Sequence, residues 1–312
     1  MSVLNRPYFY DEAEAFKHVE SILWSDGPVC GHCGGMDKSY ALKGVRTKPS
    51  KKNPEGIERH GLYKCGHCRK QFTVRKGTIF EESGLPLHKW LQAIHLMCSS
   101  KKGISSHQLA RVLEITVKSA WFLSHRIRHA MASLNQEPFD PEGGPIEIDE
   151  TFIGRLEGSP AKGGIGHKNT VLTLVQRGGE ARSFHVEGTS MADIIPTVTK
   201  HIPREADVMS DEAKHYRNLG EIYNTHGSVN HGKGEYGRGI IHTNTVEGYY
   251  SIFKRGMKGV YQHCREHHLH RYLAEFDFRY TNRIKTGCDD SERAERALLG
   301  IVGKRLTYKL PC

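Results

Sequence analysis

The chain has 312 residues, and its 45 Lys and Arg against 35 Asp and Glu leave a formal charge of +10. That length predicts two or three units rather than one domain, and the excess positive charge points to a polyanionic partner, nucleic acid first. No apolar run is long enough to span a membrane, and the acidic, aromatic start MSVLNRPYFYDEAEAF excludes a signal peptide, so a cytoplasmic protein is expected. In that compartment the eight cysteines are expected to stay reduced, and paired ones read as metal ligands or redox centres.

Residues 1–85 carry two CxxC knuckles, Cys30-Gly-His-Cys33 and Cys65-Gly-His-Cys68, separated by 31 residues that include the loop-like TKPSKKNPEG. Two short rigid turns can direct four sulfurs at one tetrahedral Zn²⁺, which predicts a structural zinc ribbon. The long spacer, a metal-free thiol cluster and a thioredoxin-like redox pair are the competing considerations, the last lacking a βαβ context. His32 and His67 lie inside the knuckles and could replace a sulfur, though four cysteines are the simpler set. Cys98, Cys264, Cys288 and Cys312 read as ordinary thiols.

Residues 86–133 show helical apolar spacing at Trp90, Ile94, Leu109, Val112, Leu113, Trp121, Ile127 and Met131. Ser105 and Gln108 fit a capping box. The helix they open breaks near Glu114-Ile115-Thr116 and resumes as VKSAWFLSHRIRHAM, the layout of a helix-turn-helix. Lys118, Ser119, Arg126 and Arg128 are then candidates for contact with DNA. A plain helical pair is the alternative, since Glu114 occupies the turn where glycine is usual. Residues 134–145, rich in Pro and Gly, read as a linker.

From Ile146, the β-like runs IEIDETFIG, TVLTLVQ, RSFHVEG and DVMSDE alternate with helical runs such as MADIIPTVTKHI and AKHYRNLGEIY, so residues 146–290 are expected to form an α/β domain, with 291–312 a C-terminal tail. Two-metal phosphodiester chemistry needs carboxylates converging from separate elements, because Mg²⁺ prefers oxygen ligands and must leave room for phosphate and water. Asp149 projects from a first strand, Asp211 ends a later one, and Glu247 lies near the start of an amphipathic helix spanning 244–259. On that helix Val246, Tyr249, Tyr250, Phe253 and Met257 face one side, while Asn244, Glu247, Ser251, Lys254, Arg255 and Lys258 face the other. A carboxylate beside a cationic stripe suits a metal next to a DNA backbone. Glu147, Glu150, Glu212 and Glu235 are competing acids.

These segments together, the four knuckle cysteines with KGTIFEESGLPLHKW, GISSHQLARVLEITVKSAWFLSHRIRHAM, IEIDETFIG, MSDEAKHY, HTNTVEGYYSIFKRGMKGVY and HLHRYLAEFDFRY, resemble the zinc-ribbon insertion-sequence transposases with a DDE catalytic domain. The resemblance spans nearly the whole chain. It implies a ribonuclease-H-like catalytic domain behind the ribbon and helix-turn-helix, with Asp149, Asp211 and Glu247 as the DDE acids holding Mg²⁺ or Mn²⁺. Some related enzymes place Asn at the third position, so Asn244 is a possible helper. It further implies metal-assisted cleavage at transposon ends and joining of the 3′-hydroxyl to target DNA, with Lys254, Arg255 and Lys258 positioning the backbone. Double-stranded DNA is the expected partner, a homo-oligomer the expected assembly on two ends, and the nucleoid the expected place of the bound protein.

A DNA-binding regulator, a nuclease that cuts without joining and a decayed copy are the rival readings. Gly232-Lys-Gly234-Glu-Tyr-Gly237 matches GxGxxG without a helix opening on it, and Gly163-Gly-Ile-Gly-His-Lys168 lacks the Walker spacing. His263, His267, His268 and His270 read as solvated or phosphate-facing. His231 and His242 flank the presumed active-site loop and could contact phosphate.

Overall fold

The computed structural model describes residues 2–51, 53–133, 137–160 and 164–306; Cys312, Gly163 and part of the expected linker lie outside them. The chain divides into two compact units, one formed by Met1–Ser99, Ser106–Met131 and Asp290–Cys312, the other by Ser100–Ser105 and Ala132–Asp289.

In the first unit, helix α1 (Glu12–Leu23) starts where the Asp11 carboxylate accepts the Glu14 N–H at 2.9 Å. Strands β1 (Ser39–Ala41), β2 (Tyr63–Cys65) and β3 (Gln71–Phe72) pair antiparallel in that order. Helix α2 (Leu87–Ser99) buries Leu87, Trp90, Leu91, Ala93, Ile94, Met97 and Cys98, and its first amides are taken by Glu12, which accepts from Leu87 N at 2.7 Å and His88 N at 3.1 Å. Helices α3 (Ser106–Leu113) and α4 (Val117–Met131) follow. Between them Glu114 takes φ +52°, and Ile115 N–H returns to Ala110 O at 3.0 Å, a Schellman-type ending built without glycine. Thr116 Oγ1 then accepts the Ser119 N–H at 3.1 Å, capping α4. Val112, expected in the core, is 54% exposed.

The second unit is built on a five-stranded sheet of β4 (Ile146–Ile153), β5 (Asn169–Gln176), β6 (Ala181–Val186), β7 (Asp207–Ser210) and β8 (Thr225–Ser228), ordered β6-β5-β4-β7-β8. The first three strands are antiparallel; β7 runs parallel to β4 and β8 parallel to β7. Strand alternation sends Ile146 and Ile148 into one core with Leu172, Leu174, Val208 and helix α5 (Met191–His201), which Ser190 and Asp193 cap reciprocally. On the other face, Ile153, Val171 and Val175 pack with helices α6 (Asn244–Gly256) and α7 (Leu269–Thr281) through Val246, Tyr249, Phe253, Leu273 and Phe276. AKHYRNLGEIY, expected as a helix, forms only two short 3₁₀ turns, Lys214–Tyr216 and Leu219–Glu221. Residues 291 onward, expected as a tail, carry most of helix α8 (Asp290–Leu299), which packs on α1, α2 and α4 within the first unit. No helix among the described residues is long and apolar enough to cross a membrane.

Candidate active site

The parallel register pairs Ile146 with Val208 and Glu147 with Met209. The same offset carries Asp149 to the level of Asp211, the residue that follows β7, so adjacent parallel strands bring two carboxylates side by side. Asp149 belongs to the strand face that packs against α6, two residues beyond Glu147. Glu150 N–H donates to Asp149 Oδ1 at 2.7 Å, Ala213 N–H donates to Asp211 Oδ1 at 3.0 Å, and Tyr250 of α6 donates its hydroxyl to the Asp149 carbonyl at 2.5 Å.

Glu247 reaches this neighbourhood from the first turn of α6, and Glu147 holds that helix end in place. Glu147 is fully buried, and its Oε2 accepts the N–H groups of Thr245 at 2.7 Å and Val246 at 2.9 Å. Its Oε1 accepts from Thr245 Oγ1 at 2.7 Å and Arg177 Nε at 2.6 Å, with His242 Nδ1 at 3.1 Å. Arg177 in turn donates to the carbonyls of Ile240 and His242 just before the helix. One strand thus carries both Asp149 and the anion that satisfies the unpaired amides of α6. Glu247 itself is half-exposed; its Oε1 lies 3.3 Å from Thr243 Oγ1 and 3.5 Å from His231 Nε2. Asn244 is exposed on the same helix start.

Crowding of anions marks the electrostatics. Burial pushes the Asp149 carboxyl up to about 8, and the charges of Glu150, Asp211 and Glu247 add to it. Asp211 is raised as well, by burial first and then by Glu150 and Glu212, against the Ala213 amide and His215. His215 is raised chiefly by its bond to Glu150, whose Oε1 lies 2.7 Å from its Nε2 and also accepts from the Tyr216 hydroxyl. Lys254 is lowered, by burial first and then by Lys258 and Lys168, against the opposing charge of Asp149. Glu212 accepts the His231 and Gly232 amides at 3.0 Å, tying down that loop, and Glu235 pairs with Arg238.

In the first unit the sulfurs of Cys30, Cys33, Cys65 and Cys68 all lie within 4.8 Å of one another. The pairs Cys30–Cys68 and Cys33–Cys65 are 3.7 and 3.6 Å apart, close to the edge of a tetrahedron with Zn–S bonds of about 2.3 Å. His32 lies against Gln71 O at 3.2 Å and His67 against Asp37 Oδ1 at 2.6 Å, which leaves the four thiols as the donor set. No other three His, Cys, Asp or Glu side chains gather so closely among the described residues, neither the histidines at 263–270 nor Asp149, Asp211 and Glu247.

The other expected contacts divide by exposure. Lys118, Arg255 and Lys258 are exposed and Ser119 half-buried, but Arg255 folds back onto Ser251 O and Oγ, each at 2.9 Å. Arg126 and Arg128, expected at DNA, are only 4% and 1% exposed. Arg126 donates to Glu81 O at 2.6 Å, its guanidinium lies 5.6 Å from the Trp90 ring centroid, and burial lowers it to about 10. Arg128 donates to Ser124 Oγ at 3.0 Å. Their charge in the second helix of the pair makes both candidates for DNA contact, whereas that helix buries them. The clamp by Glu147 and Arg177 had no sequence signal beyond an acid two residues before Asp149.

Residues 142–281 match the ISXO2-like transposase domain, and residues 10–71 match the transposase zinc-ribbon domain. A protein described as an uncharacterized protein in transposable element ISH50, from Halobacterium salinarum, is 25% identical over 294 residues, covering 87% of this chain and 91% of its own.

Proposed function

We propose, from the premise that the chain belongs to the ISXO2-like transposases and carries their zinc-ribbon domain, that it cleaves transposon ends and joins the resulting 3′-hydroxyl to target DNA. One observation carries this reading: the parallel register levels Asp149 on β4 with Asp211 after β7, and Glu147 of the same β4 holds the start of α6, whose first turn carries Glu247. The strand order β6-β5-β4-β7-β8, with helices on both faces, is what a ribonuclease-H-like domain over about 146–290 requires.

An all-oxygen donor set suits Mg²⁺ or Mn²⁺, and the anionic crowding around Asp149 fits a cation there. Asp149, Asp211 and Glu247 would hold such ions, which supply an acidified water and stabilise the leaving oxygen. Asn244, one helical turn before Glu247, assists at the same edge. Glu147 orients the helix that brings Glu247. Lys254 and Lys258 orient the phosphate backbone, with Arg255 available once released from Ser251. Structural zinc on the four thiolates organises residues 1–85, and the exposed edge of α3 and α4 within 86–133, including Lys118 and Ser119, grips duplex DNA. Two ends need two active sites, so the working assembly on DNA is a homo-oligomer, acting in the cytoplasm at the nucleoid.

The test is cleavage of a labelled duplex carrying the ends that flank the coding region, in Mg²⁺ or Mn²⁺. Asp149→Ala, Asp211→Ala and Glu247→Ala are each expected to bind that duplex and leave it intact. Equal cutting by wild type and variants, or binding without cutting by all of them, would support a regulator or a decayed copy instead.

A further inference from the structure

Part of the spacer between the two cysteine knuckles, loop-like in sequence, is an ordered arm. Strands β1 and β2 pair with Ser39 opposite Cys65 and Ala41 opposite Tyr63. The same register continues beyond them. Leu42 N–H donates to Leu62 O, Arg59 N–H to Val45 O and Thr47 N–H to Ile57 O, each at 2.8 Å, and Arg46 stands opposite Glu58. Gly56, at φ +71°, lets the two sides approach where a Cβ would fall 2.1 Å from Thr47 O. Ser50 and Asn53 exchange backbone hydrogen bonds of 3.0 and 3.1 Å and close the end. From Leu42 to Ser50 the ribbon reaches roughly 25 Å at about 3.3 Å per residue.

Neither the four cysteines nor the sheet requires this arm. A two-residue turn after Ala41 would join β1 to β2, and the arm adds no core, since only Gly56 is buried among the described residues from 43 to 59. A two-stranded ribbon without a hydrophobic face is marginal by itself, so its surface has to account for it. Residues 42–60 hold six Lys and Arg against two Glu. Both acids lie by Arg46, Glu58 opposite it and Glu55 with its Oε2 3.9 Å from Nη2. Arg46 also donates to the carbonyls of Glu55 at 2.8 Å and Gly56 at 3.0 Å, and Arg59 donates to Gln71 Oε1 at 3.2 Å. Lys43, Lys48 and Lys51 are exposed, and no carboxylate among the described residues pairs with them.

We propose that the arm docks on duplex DNA by entering the major groove, with Lys43, Lys48 and Lys51 against the phosphates along its walls. A major groove about 12 Å wide admits a two-stranded ribbon, and lysine contacts phosphate as a point charge. A second copy of the arm is excluded as occupant, because like charges would meet. A protein partner would ask for an apolar centre, whereas Ile57 is the arm's one exposed large apolar side chain among the described residues. This contact is additional to the one assigned to α3 and α4, and it rests on DNA being the substrate.

The test uses full-length, zinc-loaded protein and the labelled duplex carrying the flanking ends, without Mg²⁺ or Mn²⁺. Anisotropy across a salt series reads binding, and dimethyl sulfate methylation of guanine N7 reads occupancy of the major groove. Lys43→Gln/Lys48→Gln/Lys51→Gln is compared with Lys43→Arg/Lys48→Arg/Lys51→Arg, and zinc content and melting temperature are expected to match wild type in both. The Gln variant is expected to lower the salt slope by about two to three and to bind roughly tenfold or more weakly at about 0.1 M salt. It should also expose a run of N7 atoms that wild type and the Arg variant protect. Unchanged slope and protection overturn the arm and leave the proposed function standing. A lower slope with the same N7 protection takes the arm out of the groove and also overturns the proposal. If the Gln variant keeps duplex binding but loses a single-stranded RNA of equal length, the arm belongs to RNA and the proposal falls. Failure of wild type to bind the duplex removes the function and the arm together.

Discussion

Replacing Glu147 probes how the fold sets the site without touching an acid proposed to hold metal. The carboxylate is fully buried and serves Arg177, Thr245, Val246 and His242. Glu147→Ala strands the Arg177 guanidinium and two helix amides; breaking a buried ion pair by removing one partner costs about 3–5 kcal/mol, a large part of a typical domain stability of roughly 5–15 kcal/mol. Glu147→Gln keeps the volume. Its carbonyl oxygen can still serve the Thr245 and Val246 amides, but the new NH₂ then meets the Arg177 Nε–H, donor against donor, at a cost of roughly 1.5–3 kcal/mol for a lost charged hydrogen bond. The Gln variant therefore stays folded, with α6 and Glu247 less firmly placed. Misplacement of about 1 Å can cost on the order of 10²-fold in rate, so single-turnover end cleavage should fall by roughly ten- to a hundredfold while DNA affinity holds. Urea unfolding and the cleavage rate are read on the same preparation. A Gln variant with wild-type stability and rate would refute the clamp.

Other consequences follow from the same contacts. With its carboxyl held up to about 8 in the fold and ordinarily near 3.9 unfolded, Asp149 opposes folding increasingly as pH rises from about 4 to 8, by at most about 1.4 kcal/mol per unit. Asp149→Asn should thus melt higher than wild type without divalent metal at pH 8, the gap shrinking as pH is lowered and on adding Mg²⁺; a pH-independent gap would count against the crowded site. Chelating zinc should release the packing of Trp24 on Tyr63 and Phe72, red-shifting Trp fluorescence, and metal analysis should find one zinc per chain; unchanged emission after full zinc loss would dismiss a structural role. Lys254→Ala should reduce the salt slope of DNA binding by about one, whereas Arg126→Leu should lower the melting temperature and leave that slope alone. The reverse pattern would return Arg126 to the DNA interface.

Periodicity makes the elements that carry Asp149 and Glu247 legible in the sequence. IEID alternates apolar and acidic residues, which sets Ile146 and Ile148 opposite Glu147 and Asp149, and the 3.6-residue spacing of Val246, Tyr249, Tyr250 and Phe253 marks the buried side of α6. Local pattern has no view of partners distant in the chain. Nothing near Glu147 announces that Arg177 and the amides at 245–246 will close on it, so it looked like one acid among several. Arg126 and Arg128 read as DNA contacts because charge normally signals solvent, yet both are buried, Arg126 donating to Glu81 O and Arg128 to Ser124 Oγ. Arg255 faces outward as the spacing predicts, bonded there to Ser251 on the same side of the helix. AKHYRNLGEIY has helical spacing, but it breaks into two 3₁₀ turns where His215 and Tyr216 bond to Glu150.

The central claim is joining, since a nuclease could share every feature of the acid cluster. The decisive measurement is a strand-transfer assay with a pre-cleaved, 3′-hydroxyl end labelled at its 5′ terminus, a supercoiled target plasmid and Mg²⁺. The account predicts label covalently joined to plasmid with wild type and none with Asp149→Ala, Asp211→Ala or Glu247→Ala. Cutting of uncleaved ends with no label ever transferred from the pre-cleaved end would contradict it.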